Sequence, residues 1–353
     1  ANGYASRGGT KPAADLKPEI TTSQEIGTDI RFFQNRLGVD FTYYKSNSKN
    51  QLLSVNVPVA SGYSNKFINA GNVQNKGVEI TLNATPLKLN DFTWDLSINF
   101  AQNNSLVIEL AEGMQRYDLT GRQWMTTTVI QVGHEYGEIL TKKFLKNADG
   151  RQIVTTLGIP SVSDGQTEYG GNYNPDWIGG FTSTLTYKNF DMNFAIDFRQ
   201  GGVIYSFTEA NLASDGLADY TLEGRDGFIV DGVVQTKDAD GNVISETENT
   251  KSITAEAYWQ NLGGRNTPTG EPFSYDASNS RLRQAAIGYT KRFNTGPVKS
   301  VRVSVEGRNL FFLYNKAERL DPNLSSGNTN VQGVEGFGLP STRSFGMNLR
   351  VTF

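Results

Sequence analysis

The stretch Ser341–Phe353, STRSFGMNLRVTF, places an apolar side chain at every second position up to the last residue. Phe345, Met347, Leu349, Val351 and Phe353 share one face of an extended strand, with Ser344, Gly346, Asn348, Arg350 and Thr352 on the other. A period of two residues defines a strand with one apolar and one polar side. A terminal segment of this kind frays in water unless neighbours hold it.

The alternation recurs along the chain. Val78, Ile80, Leu82 and Ala84 oppose Glu79, Thr81 and Asn83, and Trp94, Leu96, Ile98 and Phe100 oppose Asp95, Ser97 and Asn99. Phe181, Leu185 and Tyr187 alternate with threonines, Met192, Phe194, Ile196 and Phe198 with Asp191, Asn193 and Asp197, and Val301, Val303 and Val305 with Arg302, Ser304 and Glu306. Nine principal strands are predicted, at 22–33, 37–53, 73–86, 92–104, 177–187, 190–201, 281–293, 298–313 and 341–353. Every second connection is tight (34–36, 87–91, 188–189, 294–297) and the others are long (54–72, 105–176, 202–280, 314–340). Short turns at one end and long loops at the other are the pattern of an outer-membrane barrel, an all-β antiparallel transmembrane β-barrel. Aromatic residues gather at both strand ends. Phe32, Phe33, Phe92, Trp94, Tyr187, Phe190, Phe293 and Phe353 lie at the turn end, and Tyr43, Tyr44, Phe100, Phe198, Phe311, Phe312 and Tyr314 at the loop end. Two such girdles flank an apolar band about 25 Å tall in barrels.

Composition is compatible with this reading. Mean hydropathy is −0.43 and no apolar run is long enough for a transmembrane helix, but a barrel needs only alternate apolar residues. The net charge of −3 argues against a dedicated nucleic-acid binder. With no cysteine and a single histidine, His134, no disulfide framework, thiolate site or multi-histidine metal site is expected, and no cofactor. His134 lies in a predicted loop, and neither a nucleophile elbow nor a phosphate-cradling loop accompanies it, so an enzyme is not expected. The segments KFLKNADGRQIVT (143–155) and VDGVVQTKDADGNVISE (230–246) each carry an Asp-Gly turn between β-prone runs, predicting hairpins within the long loops. Asp238 and Asp240 read as turn acids, since Gly241 falls too early for a calcium loop.

Nine strands leave two open edges, which hydrocarbon does not tolerate, and bacterial single-chain barrels have even strand counts. Residues 1–21 therefore read as the end of an extracellular loop, and 22–353 as the C-terminal part of a larger barrel. Loop aromatics Trp124, Tyr169, Tyr173, Tyr258 and Trp259 are the candidates for substrate contact, either stacking on a ligand or packing loops together. Arg302, Glu306 and Arg308 face the lumen and either line a solute path or form a charge ladder along the wall.

Five stretches resemble the C-terminal region of the SusC/RagA family of TonB-dependent outer-membrane transporters of Bacteroidetes. These are LKPEITTSQEIGTDIRFFQNRLGVDFTYY (16–44), NAGNVQNKGVEITLN (69–83), NPDWIGGFTSTLTYKNFDMNFAIDFRQGG (174–202), VEGRNLFFLY (305–314) and PSTRSFGMNLRVTF (340–353). The resemblance implies a 22-stranded barrel with a plugged lumen. It also implies import of glycan oligosaccharides or peptides, a SusD-like lipoprotein as a lid, and TonB acting on the plug. The final aromatic, Phe353, matches the family's assembly signal. A passive outer-membrane porin and a soluble glycan-binding β-sandwich are the alternatives. The first would need no loops of such length, and the second would fill a core between two facing sheets.

Overall fold

The computed structural model describes residues 9–11, 16–120, 124–324, 330 and 332–353. Nine long strands follow one another as a single antiparallel meander, in chain order. They are β1 (Ile20–Phe32), β2 (Leu37–Asn56), β3 (Asn65–Lys88), β4 (Phe92–Glu109), β5 (Trp177–Tyr187), β6 (Phe190–Gln200), β7 (Asn279–Arg292), β8 (Ser300–Asn315) and β9 (Ser344–Thr352). All nine strands expected from the alternation are present. They form one continuous sheet, with no second sheet filling a sandwich core among the described residues. Of residues 1–21, expected as the end of a loop, 1–8 and 12–15 lie outside the described residues. Thr10–Lys11 pair in parallel with Asn65 and Lys66, and β1 already begins at Ile20.

Register lines up the two faces. Ile30, Val39, Leu82, Ile98, Phe181, Ile196 and Leu282 are opposed in turn across seven strands. Directly opposed residues share a face of the sheet, so these side chains form a continuous apolar belt. One residue along, Asp29, Asp40, Thr81, Asn99, Gly180, Asp197 and Arg281 form the matching polar row. The apolar face is uncovered: Met347 is 78 % exposed and Phe345 and Phe353 are each 75 % exposed. At the turn end Phe92, Tyr187, Phe190 and Tyr289 stand opposite one another, and the rings of Phe190 and Tyr289 lie 4.9 Å apart.

The loop-end girdle expected from sequence is only half outward. Tyr43 and Phe311 are exposed on the apolar face, whereas Tyr44 and Phe312 point the opposite way because consecutive strand residues alternate. Tyr44 lies flat across Gly77, its register partner, and its hydroxyl donates to Asn103 Oδ1 on the next strand at 3.0 Å. A Cβ on Gly77 would sit 2.4 Å from the Gln102 carbonyl and 2.5 Å from the Tyr44 hydroxyl. Gly77→Ala is therefore expected to destabilise the wall by about 1–3 kcal/mol, since the backbone oxygen cannot yield as a side chain can. The denaturant midpoint of the folded protein measures it, and an unchanged midpoint would refute the joint.

The connection expected at 54–72 is mostly strand. Pairing runs to Lys49↔Asn72, skips Asn50 and Gly71, and resumes from Gln51↔Ala70 to Asn56↔Asn65. Asn50 (φ 59°) and Gly71 (φ 91°) are both left-handed, an interruption of one residue on each strand that leaves the register unchanged and hides the continuation. Only residues 57–64 remain as connection.

The other long connections fold into a second body with its own core at the loop end. Glu168–Asn172, Glu138–Thr141, Thr126–Gln131 and Arg116–Asp118 form a four-stranded sheet in that order. The predicted hairpins are there: Val233–Lys237 pairs with Val243–Glu248, and Lys146 bridges Gln152 around the Asn147–Gly150 turn. Two helices were not expected, α1 (Phe207–Ser214) and α2 (Ala255–Leu262). Ser206 caps α1 by accepting from the Glu209 N–H, and Thr254 caps α2 by accepting from Ala257. One cluster buries Met125, Ile139, Tyr173, Tyr205, Phe207 and Phe273. A second joins Leu53, Val73 and Val107 of the wall to Leu110 and Ile130 of the loops.

Candidate functional site

Where this body meets the upper wall, a cleft of about 540 Å³ opens. Its floor is strand β4 above the last residue that β5 reaches: β5 pairs no further than Ala101, leaving Gln102–Ser105 without a β5 partner. The segment 133–136 then takes over the free edge. Val107 N–H donates to His134 O at 2.9 Å and Tyr136 N–H to Ser105 O at 2.8 Å, which brings Glu135 and Tyr136 to the rim. Asn174, Pro175 and Asp176 enter from the start of β5, and Gly201 and Gly202 from the end of β6.

The backbone around the cleft is held firmly. The Tyr136 carbonyl accepts from both Asn172 Nδ2 at 3.0 Å and Asn174 Nδ2 at 2.7 Å, and Asn174 N–H donates to Asn172 Oδ1. Arg199 Nη2 donates to the Tyr173 carbonyl at 2.7 Å, and Gly201 N–H to Ser278 Oγ at 2.8 Å. Gly201 (φ 76°) is required twice over: a Cβ there would lie 2.4 Å from the Asp176 carboxylate. Such fixed polar groups bind with little further ordering.

The five loop aromatics singled out from sequence separate sharply. Trp124 stacks on Phe207 at 4.8 Å with the rings nearly parallel, and Tyr173 is buried in the loop core. Trp259 packs edge-on to Tyr220 at 4.9 Å and Tyr258 against Phe228 at 5.5 Å. These four rings are occupied in holding loops together. Tyr169 is different: it is 55 % exposed and lines the cleft. Burial, with the carboxylates of Glu138 and Glu135 nearby, raises the Tyr169 phenol above its ordinary pKa, so it remains a hydrogen-bond donor. Burial likewise pushes the Tyr173 phenol up to about 12.

Arg302, Glu306 and Arg308 lie on the wall's polar face. Arg302 reaches over Gly288 to grip Asp191 with two bonds of 3.0 and 2.5 Å. Arg308 pairs with Glu306 at 3.0 Å, two residues back on the same strand. In both, the guanidinium is engaged along the wall. His134 Nδ1 lies 2.9 Å from Glu138 Oε1, whose other oxygen accepts from Gln131. Asp238 accepts from the N–H groups of Asp240 and Asn242 and from the Asn242 side chain, which hold its carboxyl below the usual range, as a turn residue.

Apart from Tyr169, the cleft residues were not selected as site candidates from sequence. The signal was there in the runs AQNN (101–104), NPDW (174–177) and RQGG (199–202), amide- and glycine-rich segments at strand ends.

Residues 1–310 match the family model described as TonB dependent receptor-like, beta-barrel. The chain belongs to this family of TonB-dependent receptors. Among curated relatives it is 27 % identical to TonB-dependent receptor P3 of Formosa agariphila, across 96 % of this chain and 34 % of the relative. It is also 27 % identical to TonB-dependent receptor SusC of Bacteroides thetaiotaomicron, across 89 % of this chain and 30 % of the relative. The fold superimposes on 35 % of a chain of the RagAB peptide transporter with a TM-score of 0.67, covering 95 % of this chain at 17 % identity. The chain thus spans about a third of the length of these relatives, which are receptors and transporters by name, not enzymes.

Proposed function

We propose that this chain forms barrel wall and outer loops of an outer-membrane transporter that imports a nutrient, a glycan oligosaccharide or a peptide, in a Gram-negative bacterium. It works with further barrel strands and a plug on which TonB acts, and with a SusD-like lipoprotein as lid. The long loops face the cell exterior, where the cleft meets incoming substrate. The lumen-side charges of Arg302, Glu306 and Arg308 brace the wall, and Phe353 serves barrel assembly.

The observation that carries this reading is the seven-strand apolar belt, uncovered on a wall whose buried clusters lie at its upper end, in and against the loops. Hydrocarbon is the solvent that accepts such a face. The outer edges of β1 and β9 have no partner strand among the described residues, so the wall is built to continue on both sides.

Native mass spectrometry of the detergent-extracted sample tests the assignment. The expected result is recovery with the remaining barrel and plug and with a lipoprotein. A detergent-independent monomer of 38.8 kDa would overturn it. A steady open conductance from the complete assembly would count against a plugged transporter.

A further inference from the structure

The charge in the cleft is one-sided. Glu135, Asp176 and Asp276 line it, and no lysine or arginine does. Asp276 is neutralised from outside by Lys316 at 2.6 Å. Arg199, behind Gly202, donates to the carbonyls of Tyr173 and Gly201. Among the described residues Glu135 accepts from the neutral amide of Asn104 and neither Glu135 nor Asp176 has a cation partner. Around these two carboxylates stand the amides of Gln102, Asn103, Asn172 and Asn174 and the exposed Tyr169 ring.

We infer that the cleft seats an uncharged saccharide segment and rejects acidic saccharides. This rests on the transporter reading and deepens it. Carboxylates are acceptors only, so Glu135 and Asp176 call for donors on the ligand, which sugar hydroxyls supply in adjacent pairs. The Gln102 amide, and the second N–H that Asn103, Asn172 and Asn174 each keep beyond their internal bonds, complement the same hydroxyls. The flat Tyr169 ring offers a face for the apolar side of a pyranose. A uronate or sulfate here would set like charge against Glu135 and Asp176 with no cation to offset it. A peptide is less well matched, since the lining offers little apolar recess beyond Pro175 and Val203 for its side chains.

The test uses the complete transporter in detergent and an array pairing neutral hexasaccharides with uronate and sulfated hexasaccharides of equal length, together with uncharged hexapeptides. Neutral saccharides are expected to bind at least tenfold more tightly than their acidic counterparts. Tyr169→Ala should weaken neutral binding by roughly tenfold. Glu135→Gln combined with Asp176→Asn should shift the acidic-to-neutral affinity ratio by tenfold or more toward acidic ligands, a change that mere loosening of the loops would not produce. Equal binding of acidic and neutral saccharides, a ratio unmoved by the double variant, or a response to peptides alone would each overturn the inference. If no saccharide binds while the assembly with lid and plug is intact, this inference fails and the transporter reading stands.

Discussion

Replacing Arg281 with methionine is expected to lower stability by about 3–5 kcal/mol, the usual consequence of stranding one member of a buried ion pair. Arg281 and Asp321 side chains are 5 % and 9 % exposed, with Nη1 2.9 Å from the carboxylate. Nη2 donates to Ser341 Oγ at 2.8 Å and to the Asn309 carbonyl at 3.3 Å, while the guanidinium lies 4.6 Å from the centroid of Phe312. One side chain thus ties β7 to β8, to the 316–324 segment and to the approach of β9. Methionine keeps much of the volume and removes every one of these bonds. Hydrogen exchange should quicken first at 316–324 and 341–343, and the denaturant midpoint should fall. Arg281→Met with Asp321→Leu should lose much less, because no charge is left buried.

The same pair predicts a pH dependence. Burial pushes the Asp321 carboxyl up, but the Ser341 hydroxyl, the Asn323 N–H and side chain, and Arg281 together outweigh it and hold the pKa below the ordinary carboxylate value. A folded-state pKa lowered in this way adds stability above the unfolded-state pKa of about 4, and that stability is lost as pH falls through the lowered value. The double variant should flatten this acid limb. A single variant as stable as the parent would show that the clip bears no weight.

How far the sequence revealed this molecule follows from the range of each interaction. Strand alternation is local and survived in all nine wall strands. It failed beyond Asn50 and Gly71, where two left-handed residues interrupt the pairing, and Val55 and Ile68 passed for loop. The helices were legible in part: Ser206-Phe-Thr-Glu209 is a capping box and Thr254 precedes helix-forming alanines, but two eight-residue helices among glycines leave a short signal. The cleft was not legible as a site, because Asn103, Glu135, Tyr169 and Asp176 converge only when 105–176 folds back on β4. Nor does sequence reveal which loop rings stay free. Trp124 and Trp259 looked as good as Tyr169 until packing took them.

Ile98→Arg is the second large effect and decides what solvent the wall faces. Ile98 stands between Leu82 and Phe181 in the apolar belt, mid-strand in β4, and is 40 % exposed. In water an arginine at so open a position would matter little, because its head would stay hydrated. In hydrocarbon near the bilayer midplane it costs about 2–4 kcal/mol and should impair assembly of the barrel. Asn99→Leu, one residue away on the polar face, provides the control. Asn99 lies against Gly180, where a built Cβ would come within 2.8 Å of its Oδ1, so leucine there disturbs contact without putting charge into lipid. Denaturant titration in bilayers, with the yield of folded barrel, should show Ile98→Arg as much the worse of the two. A harmless arginine beside a ruinous leucine would reverse the two faces, and the membrane assignment would go with them.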